Sequence, residues 1–167
     1  YDGMIINLGN HVELKVLETL GHASHHLSFV ENQSRGIFPG DAGVIYVSKD
    51  DVIVPTTPPP FNLEATLASI NRLIALKPKQ LYYTHFGSSR DAIKKLEEYS
   101  DRLRLWAKIV LEGMKNGEDV ETICQKVMEK DDPMKSVVGY IQNNLIFREG
   151  VMKQDIRGFI EYLKRMQ

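Results

Sequence analysis

The sequence predicts an α/β fold in which a strand-rich first half carries a helical second half. Three observations lead there. Residues 1 to about 47 repeat a strand, turn, strand pattern; a proline-rich connection then leads into one amphipathic helix and a further apolar run; and from Ser88 onward apolar residues recur at helical spacing. The expected organisation is one α/β unit over residues 1–87 with a helical extension, residues 88–167, packed on it.

The elements follow in chain order. Met4 to Leu8 is an extended apolar run, Gly9-Asn10 is a turn, and Val12 to Val16 alternates apolar with polar, as a half-buried hairpin strand does. Leu17 to Leu20 extends that strand to Gly21. Leu27 to Glu31 and Gly36 to Phe38 are two short strands flanking a polar turn that begins at Asn32. Ser48 to Asn62 holds Pro55, Pro58, Pro59 and Pro60, which suit neither a helix interior nor a central strand, so a loop or extended connection walling a cleft is expected. Asn62 is placed to N-cap a helix with Leu63, Leu67, Ile70 and Ile74 on one face, which Pro78 ends. Gln80 to Thr84 reads as a strand ending at His85. Ser88 with Asp91 resembles a capping box opening a helix to about Lys115; Val120, Ile123 and Val127 mark a second helix. Asp132-Pro133 opens a third with Val137, Ile141 and Leu145, and a last runs from about Lys153 with Ile156, Ile160 and Leu163.

Composition narrows the function classes. Lys and Arg number 21 against 22 Asp and Glu, with no basic stripe interleaved with aromatics, so the footprint of a nucleic-acid binder is missing. No apolar run approaches the roughly 18 residues of a membrane span, and the start lacks the regions of a signal peptide. A cytoplasmic protein with no membrane partner is expected. Cys124 is the sole cysteine and reads as a small buried hydrophobe on a helix. Tyr1 runs almost at once into a strand with no initiator Met, so the chain reads as cut, either at a processed or trimmed terminus or as the later part of a longer protein.

The chemistry lies at strand ends. Three apolar runs each end in a potential metal ligand: Gly21-His22-Ala23-Ser24-His25-His26, Pro39-Gly40-Asp41, and Tyr83-Thr84-His85-Phe86-Gly87. A strand end delivers a side chain from rigid support into a loop-walled cleft, and imidazole with carboxylate is a donor set that suits zinc or iron.

These segments, in their order, spacing and flanks, resemble the metallo-β-lactamase superfamily in its glyoxalase II-like branch. The resemblance covers about residues 1–90 and implies that His22 ligates one metal, Asp41 bridges two, His85 ligates the second, and His26 supports the site without ligating. Ala23-Ser24-His25 departs from the usual Thr-Pro-Gly. The family's leading His-x-His-x-Asp-His is absent from these residues. The implied fold is therefore the second half of a four-layer αββα sandwich with a helical C-terminal extension, its site completed by a missing N-terminal half in the same or another chain. The implied cofactors are two divalent ions, zinc first, with iron or manganese as alternatives.

The implied activity is hydrolysis of a small ester or thioester by a metal-bound hydroxide, of the hydroxyacylglutathione hydrolase kind, with Asp41 bridging the metals and steering a proton. In this chain alone each metal has one His and the shared Asp, so the fragment is expected to be inactive by itself. The short span from Asp41 to His85 lacks the insertion of nucleic-acid-hydrolysing members, and Asp41 stands where β-lactamases proper commonly carry Cys. Tyr82, Tyr140 and Arg148 are candidate substrate contacts. Two other readings share the motifs: a non-catalytic metal-binding or interaction module whose helical tail buries apolar stripes against a second chain, a homodimer included, and a mononuclear iron persulfide dioxygenase.

Overall fold

The computed structural model describes residues 1–43, 45–85, 87–143 and 150–167, without side chains at 138 and 140–143. β1 (Ile5–Gly9) and β2 (Val12–Glu18) form a hairpin closed by Asn10 and His11. Both have positive φ, 51° and 64°, the sign that a tight two-residue hairpin loop requires to match strand twist. β3 (Leu27–Glu31) and β4 (Gly36–Phe38) continue the antiparallel meander. After β5 (Ile45–Val47), β6 (Val52–Val54) and α1 (Leu63–Ala75), the chain returns as β7 (Gln80–Tyr82), parallel to β4, and β8 (Ser88–Ser89) closes the edge. The sheet order is β1-β2-β3-β4-β7-β8, with β5-β6 as a separate pair.

This topology decides where the strand ends lie. β2 and β4 are both antiparallel to β3, and β7 is parallel to β4, so β2, β4 and β7 point the same way. Their carboxyl ends share one rim of the sheet, with the start of β3 between them. Gly21-His22, Gly40-Asp41 and His85 all follow strands that end on that rim.

Several elements differ from the sequence reading. Val12 to Val16 does not alternate cleanly in burial, since Val16 and its neighbour Leu17 are both buried. Ser48 to Asn62 is not all connection: Val52, Ile53 and Val54 pair with Val47, Tyr46 and Ile45, and a turn with Asp51 at φ 55° joins the strands. Both strands are buried along their whole length, so they lack the polar alternation that would have marked them, and the prolines begin only past the ladder. Ser88 pairs with Tyr82 in β8, and α2 (Ala92–Lys115) starts after Asp91, whose side chain makes no capping bond.

Asn62 does cap α1, its Oδ1 accepting from the Ala65 N–H. Asp119 likewise caps α3 (Val120–Lys130), which buries Ile123 and Val127. In α4 (Asp132–Asn143) Val137 is buried; the Ile141 side chain and Leu145 lie outside the described residues. α5 (Met152–Arg165) buries Asp155, Ile156, Phe159 and Tyr162, while Ile160 and Leu163 are only partly covered.

One cluster of buried side chains runs from Leu17, Ile37 and Leu81 on the sheet through Ile70 and Leu73 of α1 to Leu103, Trp106, Ile123 and Ile156. Within it sits a buried ion pair. Asp131, between α3 and α4, is 2% exposed, receives the Trp106 Nε1–H at 2.7 Å, and pairs with Arg102 at 2.9 Å, one helical turn from Trp106 on α2. Arg102 also donates to the Ile53 carbonyl, tying α2 to β6. No helix among the described residues is long and apolar enough to cross a membrane.

Candidate metal centre

His22 is held from behind. Gly21 before it has φ 131°, and a Cβ there would overlap Thr66 of α1, so glycine is the residue that lets the loop lie on the helix. The Gly21 carbonyl accepts the Asn62 N–H at 2.9 Å. The His22 Nδ1 lies 3.0 Å from the Thr56 carbonyl oxygen, which can only accept, so Nδ1 carries a proton and Nε2 is the nitrogen turned forward. That Nε2 is 3.7 Å from Asp41 Oδ2.

Asp41 occupies a one-turn 3-10 segment, Gly40–Gly43, directly after β4 and Pro39. Gly40 has φ 56°, and a Cβ on it would lie 2.6 Å from the His26 ring. The Thr56 hydroxyl donates to the Asp41 carbonyl at 3.3 Å, so Thr56 touches both His22 and Asp41. On the other side of Asp41, His85 Nε2 is 3.2 Å from Oδ1. The His85 carbonyl accepts the Tyr46 N–H at 3.2 Å and bridges to Ile45, so the β5-β6 pair braces it. Tyr46 stacks on Tyr83 at 4.7 Å beneath that corner.

His26 faces inward to the protein. The Ala42 N–H donates to its Nε2 at 3.3 Å, which makes that nitrogen the acceptor and puts the proton on Nδ1. Nδ1 then donates to Thr19 Oγ1 at 2.9 Å, Thr19 donates to Ser28 Oγ at 2.7 Å, and Ser28 donates to the Pro39 carbonyl at 3.1 Å. The chain runs in one proton order and staples the Asp41 turn to β3 and to the end of β2. Burial, with His22 nearby, holds the His26 pKa below its ordinary value, as the neutral tautomer in this chain requires. His25 is exposed.

The donors fit a divalent cation in chemistry and orientation. Among the described residues Asp41 Oδ1 is buried and has no hydrogen-bond partner, although His85 Nε2 is close, and His22 Nε2 faces the carboxylate's other oxygen. Acceptors brought face to face need a cation between them, a proton or a metal ion. The contacts are pairwise, however, and among the described residues no group of three or more His, Cys, Asp or Glu converges tightly enough to hold an ion by itself. Asp41 therefore links two imidazoles without closing a shell.

The remaining candidates fall elsewhere. Tyr82 stacks on Phe38 at 4.8 Å and covers Gly36. The Tyr140 side chain and Arg148 lie outside the described residues. Cys124 is half-buried and its thiol is pushed up to about 11, which leaves it protonated and unreactive at neutral pH. A cavity of about 440 Å³ beside the His22 loop is lined by Gly21, Ser24, Pro60, Asn62 and Arg165, so the proline connection does wall a cleft there. Thr19, Ser28 and Thr56 escaped the sequence reading. Their one available signal was a hydroxyl on each strand flanking the histidine loop, and Thr56 acts partly through its carbonyl, which no side chain advertises.

A strand-rim site of this kind on a mixed α/β sheet can be compared with those of known proteins. Residues 6–85, a little under half of the chain, match the family model described as the metallo-beta-lactamase superfamily. A metallo-beta-lactamase fold-containing protein of Sulfurisphaera tokodaii, ST1585, is 35% identical over 74 residues, 44% of this chain and 27% of the relative. Its crystal structure superposes with a TM-score of 0.53 and 31% identity over 60% of this chain and 36% of the other. TTHA1429 from Thermus thermophilus, a metallo-beta-lactamase family protein, shares the fold over 99% of this chain and 48% of its own, with a TM-score of 0.69 at 20% identity. A beta-lactamase domain protein from Burkholderia ambifaria does so over 99% and 46%, with a TM-score of 0.62 at 13% identity. The chain thus spans between about a quarter and a half of the length of these relatives.

Proposed function

We propose that this chain supplies His22, Asp41 and His85 to a two-metal hydrolase centre that acts on a small ester or thioester. The observation that carries the reading is the Asp41 carboxylate set between two imidazole Nε2 atoms, 3.7 Å from His22 and 3.2 Å from His85, with the opposite nitrogen of His22 committed to Thr56. A ligand imidazole whose other N–H is fixed by a backbone carbonyl is the usual outer-shell arrangement of a metal-binding histidine. In this reading His22 and Asp41 would hold one ion, and His85 with the shared Asp41 the other.

Each ion would then have two donors from this chain, against the three protein ligands typical of a catalytic zinc site. The rest come from a segment with the pattern His-x-His-x-Asp-His, preceding Tyr1 or on another chain. The sheet supports this. Val16, Phe29 and Phe38 lie opposite one another across β2, β3 and β4, and Phe38 stacks on Tyr82, so an apolar stripe crosses the sheet face that Ile37 and Leu81 do not use. Val16 at one end of that stripe is already buried, but Phe38 is 42% exposed, so it is the Phe38 end that another layer would cover.

When bound, a divalent ion polarises a carbonyl and lowers the pKa of water to about 7. This chain's part is to hold the ions with His22 and His85, to share Asp41 between them, and to keep the Asp41 turn fixed through His26. Zinc is the first candidate, with iron or manganese next, and the glyoxalase II-like thioesters are the substrates to try first. Protein made with the residues that precede Tyr1 should contain at least half an equivalent of zinc, iron or manganese and hydrolyse a glutathione thioester in a His22-dependent manner. Less metal than that, together with hydrolysis unchanged in His22→Ala, would sink the reading.

A further inference from the structure

One stripe of α5 is built against the connection that follows β6. Asp155, at 1% exposure, accepts the Thr57 N–H through Oδ1 at 2.6 Å, and its own backbone carbonyl accepts the Thr57 hydroxyl at 3.1 Å. One turn on, Gly158 lies so close to Thr57 that a Cβ would overlap the Thr57 carbonyl. Phe159 and Tyr162 then pack their rings on Phe61 at 4.9 and 6.2 Å, and Arg165 donates to the Phe61 carbonyl at 2.7 Å. The positions 155, 158, 159, 162 and 165 share one face at helical spacing, and all of them grip residues 57–61.

The other edge of the same connection holds His22. Thr56, adjacent to Thr57, gives its carbonyl to His22 Nδ1 and its hydroxyl to the Asp41 carbonyl, and Asn62, adjacent to Phe61, gives its N–H to Gly21. The connection is thus gripped by α5 between the two points at which it grips the histidine loop. A buried acid is an expensive way to pack a helix, since burial penalises its charged form. A short acceptor at this position does what an apolar residue would not: it fixes the N–H of Thr57, which lies in no strand or helix.

We propose that Asp155 and Gly158 are positioning residues for the metal centre, acting through the strap Thr56–Asn62 to orient His22 and the Asp41 turn. The proposal rests on the reading of His22 as a metal ligand. It assigns α5, far along the chain from the family segment, a part in setting metal affinity.

The test is a Co²⁺ titration of the intact protein, followed by visible absorption, on wild type, His22→Ala, Asp155→Ala, Asp155→Asn, Gly158→Ala and Val127→Ala. Asp155→Ala and Gly158→Ala should each weaken Co²⁺ binding about tenfold, the scale of outer-shell changes. Asp155→Asn keeps an acceptor for Thr57 and should stay within about threefold of wild type. Val127→Ala, a cavity in α3 away from the strap, should destabilise the protein with Co²⁺ affinity unchanged. Gly158→Ala leaves the acid in place, so the same two outcomes remain if Asp155→Ala does not fold. Wild-type affinity in folded Asp155→Ala or Gly158→Ala overturns the proposal, as does equal weakening by Val127→Ala. If His22→Ala binds Co²⁺ like wild type, the reading of the site is what fails.

Discussion

Thr19→Val tests the proton-ordered chain at its middle link. Thr19 is fully buried, and its hydroxyl accepts from His26 Nδ1 and donates to Ser28. Valine replaces that hydroxyl with a methyl of similar size, so little cavity forms, but the His26 N–H is left in the interior with no acceptor. A buried donor without a partner costs about 1–3 kcal/mol, and the lost bond to Ser28 about 1 kcal/mol more. We expect about 2–4 kcal/mol of destabilisation, a shift of about 1–2 M in the urea midpoint for an m-value of about 2 kcal/mol/M. Thr19→Ser keeps the hydroxyl and loses one methyl, about 1 kcal/mol. Urea unfolding of both variants in chelator, followed by the fluorescence of Trp106, gives the comparison. If Thr19→Val unfolds within about 0.5 kcal/mol of wild type, or later than Thr19→Ser, the chain does not bear on the fold as argued.

Gly21→Ala should cost about 3 kcal/mol, combining left-handed strain with overlap on Thr66; an unchanged melting temperature would contradict the close packing of the His22 loop on α1. Asp131→Ala strands the buried Arg102 and Trp106 donors and should cost about 3–5 kcal/mol in urea unfolding, against under about 0.5 kcal/mol for the same change at exposed Asp132. Burial pushes the Asp155 carboxyl up to about 8, so its proton is bound more tightly folded than unfolded. Its contribution to stability is therefore full below about pH 4 and is lost as pH rises through about 8, with a limiting slope of about 1.4 kcal/mol per pH unit. Asp155→Asn should flatten that stretch of the stability profile, and a wild-type slope in the variant would show that another group titrates there.

Much of the site was legible because its positions are marked twice, by an apolar run and by the residue that ends it. Gly21 and Gly40 stop strands β2 and β4 just before His22 and Asp41, and His85 follows the apolar end of β7, so a periodicity reading reaches all three side chains proposed as ligands. The same reading fails where burial removes the period. Val52-Ile53-Val54 is covered on both faces, shows no alternation, and stands next to prolines whose effect was extended too far back. Ser88-Ser89 has too little apolar character to announce β8, and the hydroxyl that looked like a helix cap is a strand residue. On α5 the buried stripe is led by an acid and a glycine, so although Ile156 is buried, Ile160 and Leu163 pointed to a neighbouring face. Asp131 was passed over for the same reason in reverse. Asp132-Pro133 has the local signature of a helix start, whereas what fixes Asp131 is Arg102 and Trp106, about thirty residues earlier, and no local pattern carries that pairing.

The groups that frame the centre share a property that bears on how it works. Thr19, Ser28, Thr56, the Pro39 carbonyl, the Ala42 N–H and His26 in its neutral tautomer are all uncharged, and through hydrogen bonds they hold His22 or the Asp41 turn. A framing Lys or Arg would oppose a bound cation, and a framing Asp or Glu would compete to ligate it. With a neutral frame the charge at the rim is set by Asp41 and by whatever sits between it and the imidazoles. The frame also fixes direction, because the Nδ1 proton committed to Thr56 turns His22 Nε2 to the side that faces Asp41. Geometry and charge at the rim are thus governed by different residues, so a change in the frame should alter how firmly a cation is held before it alters which cation is preferred.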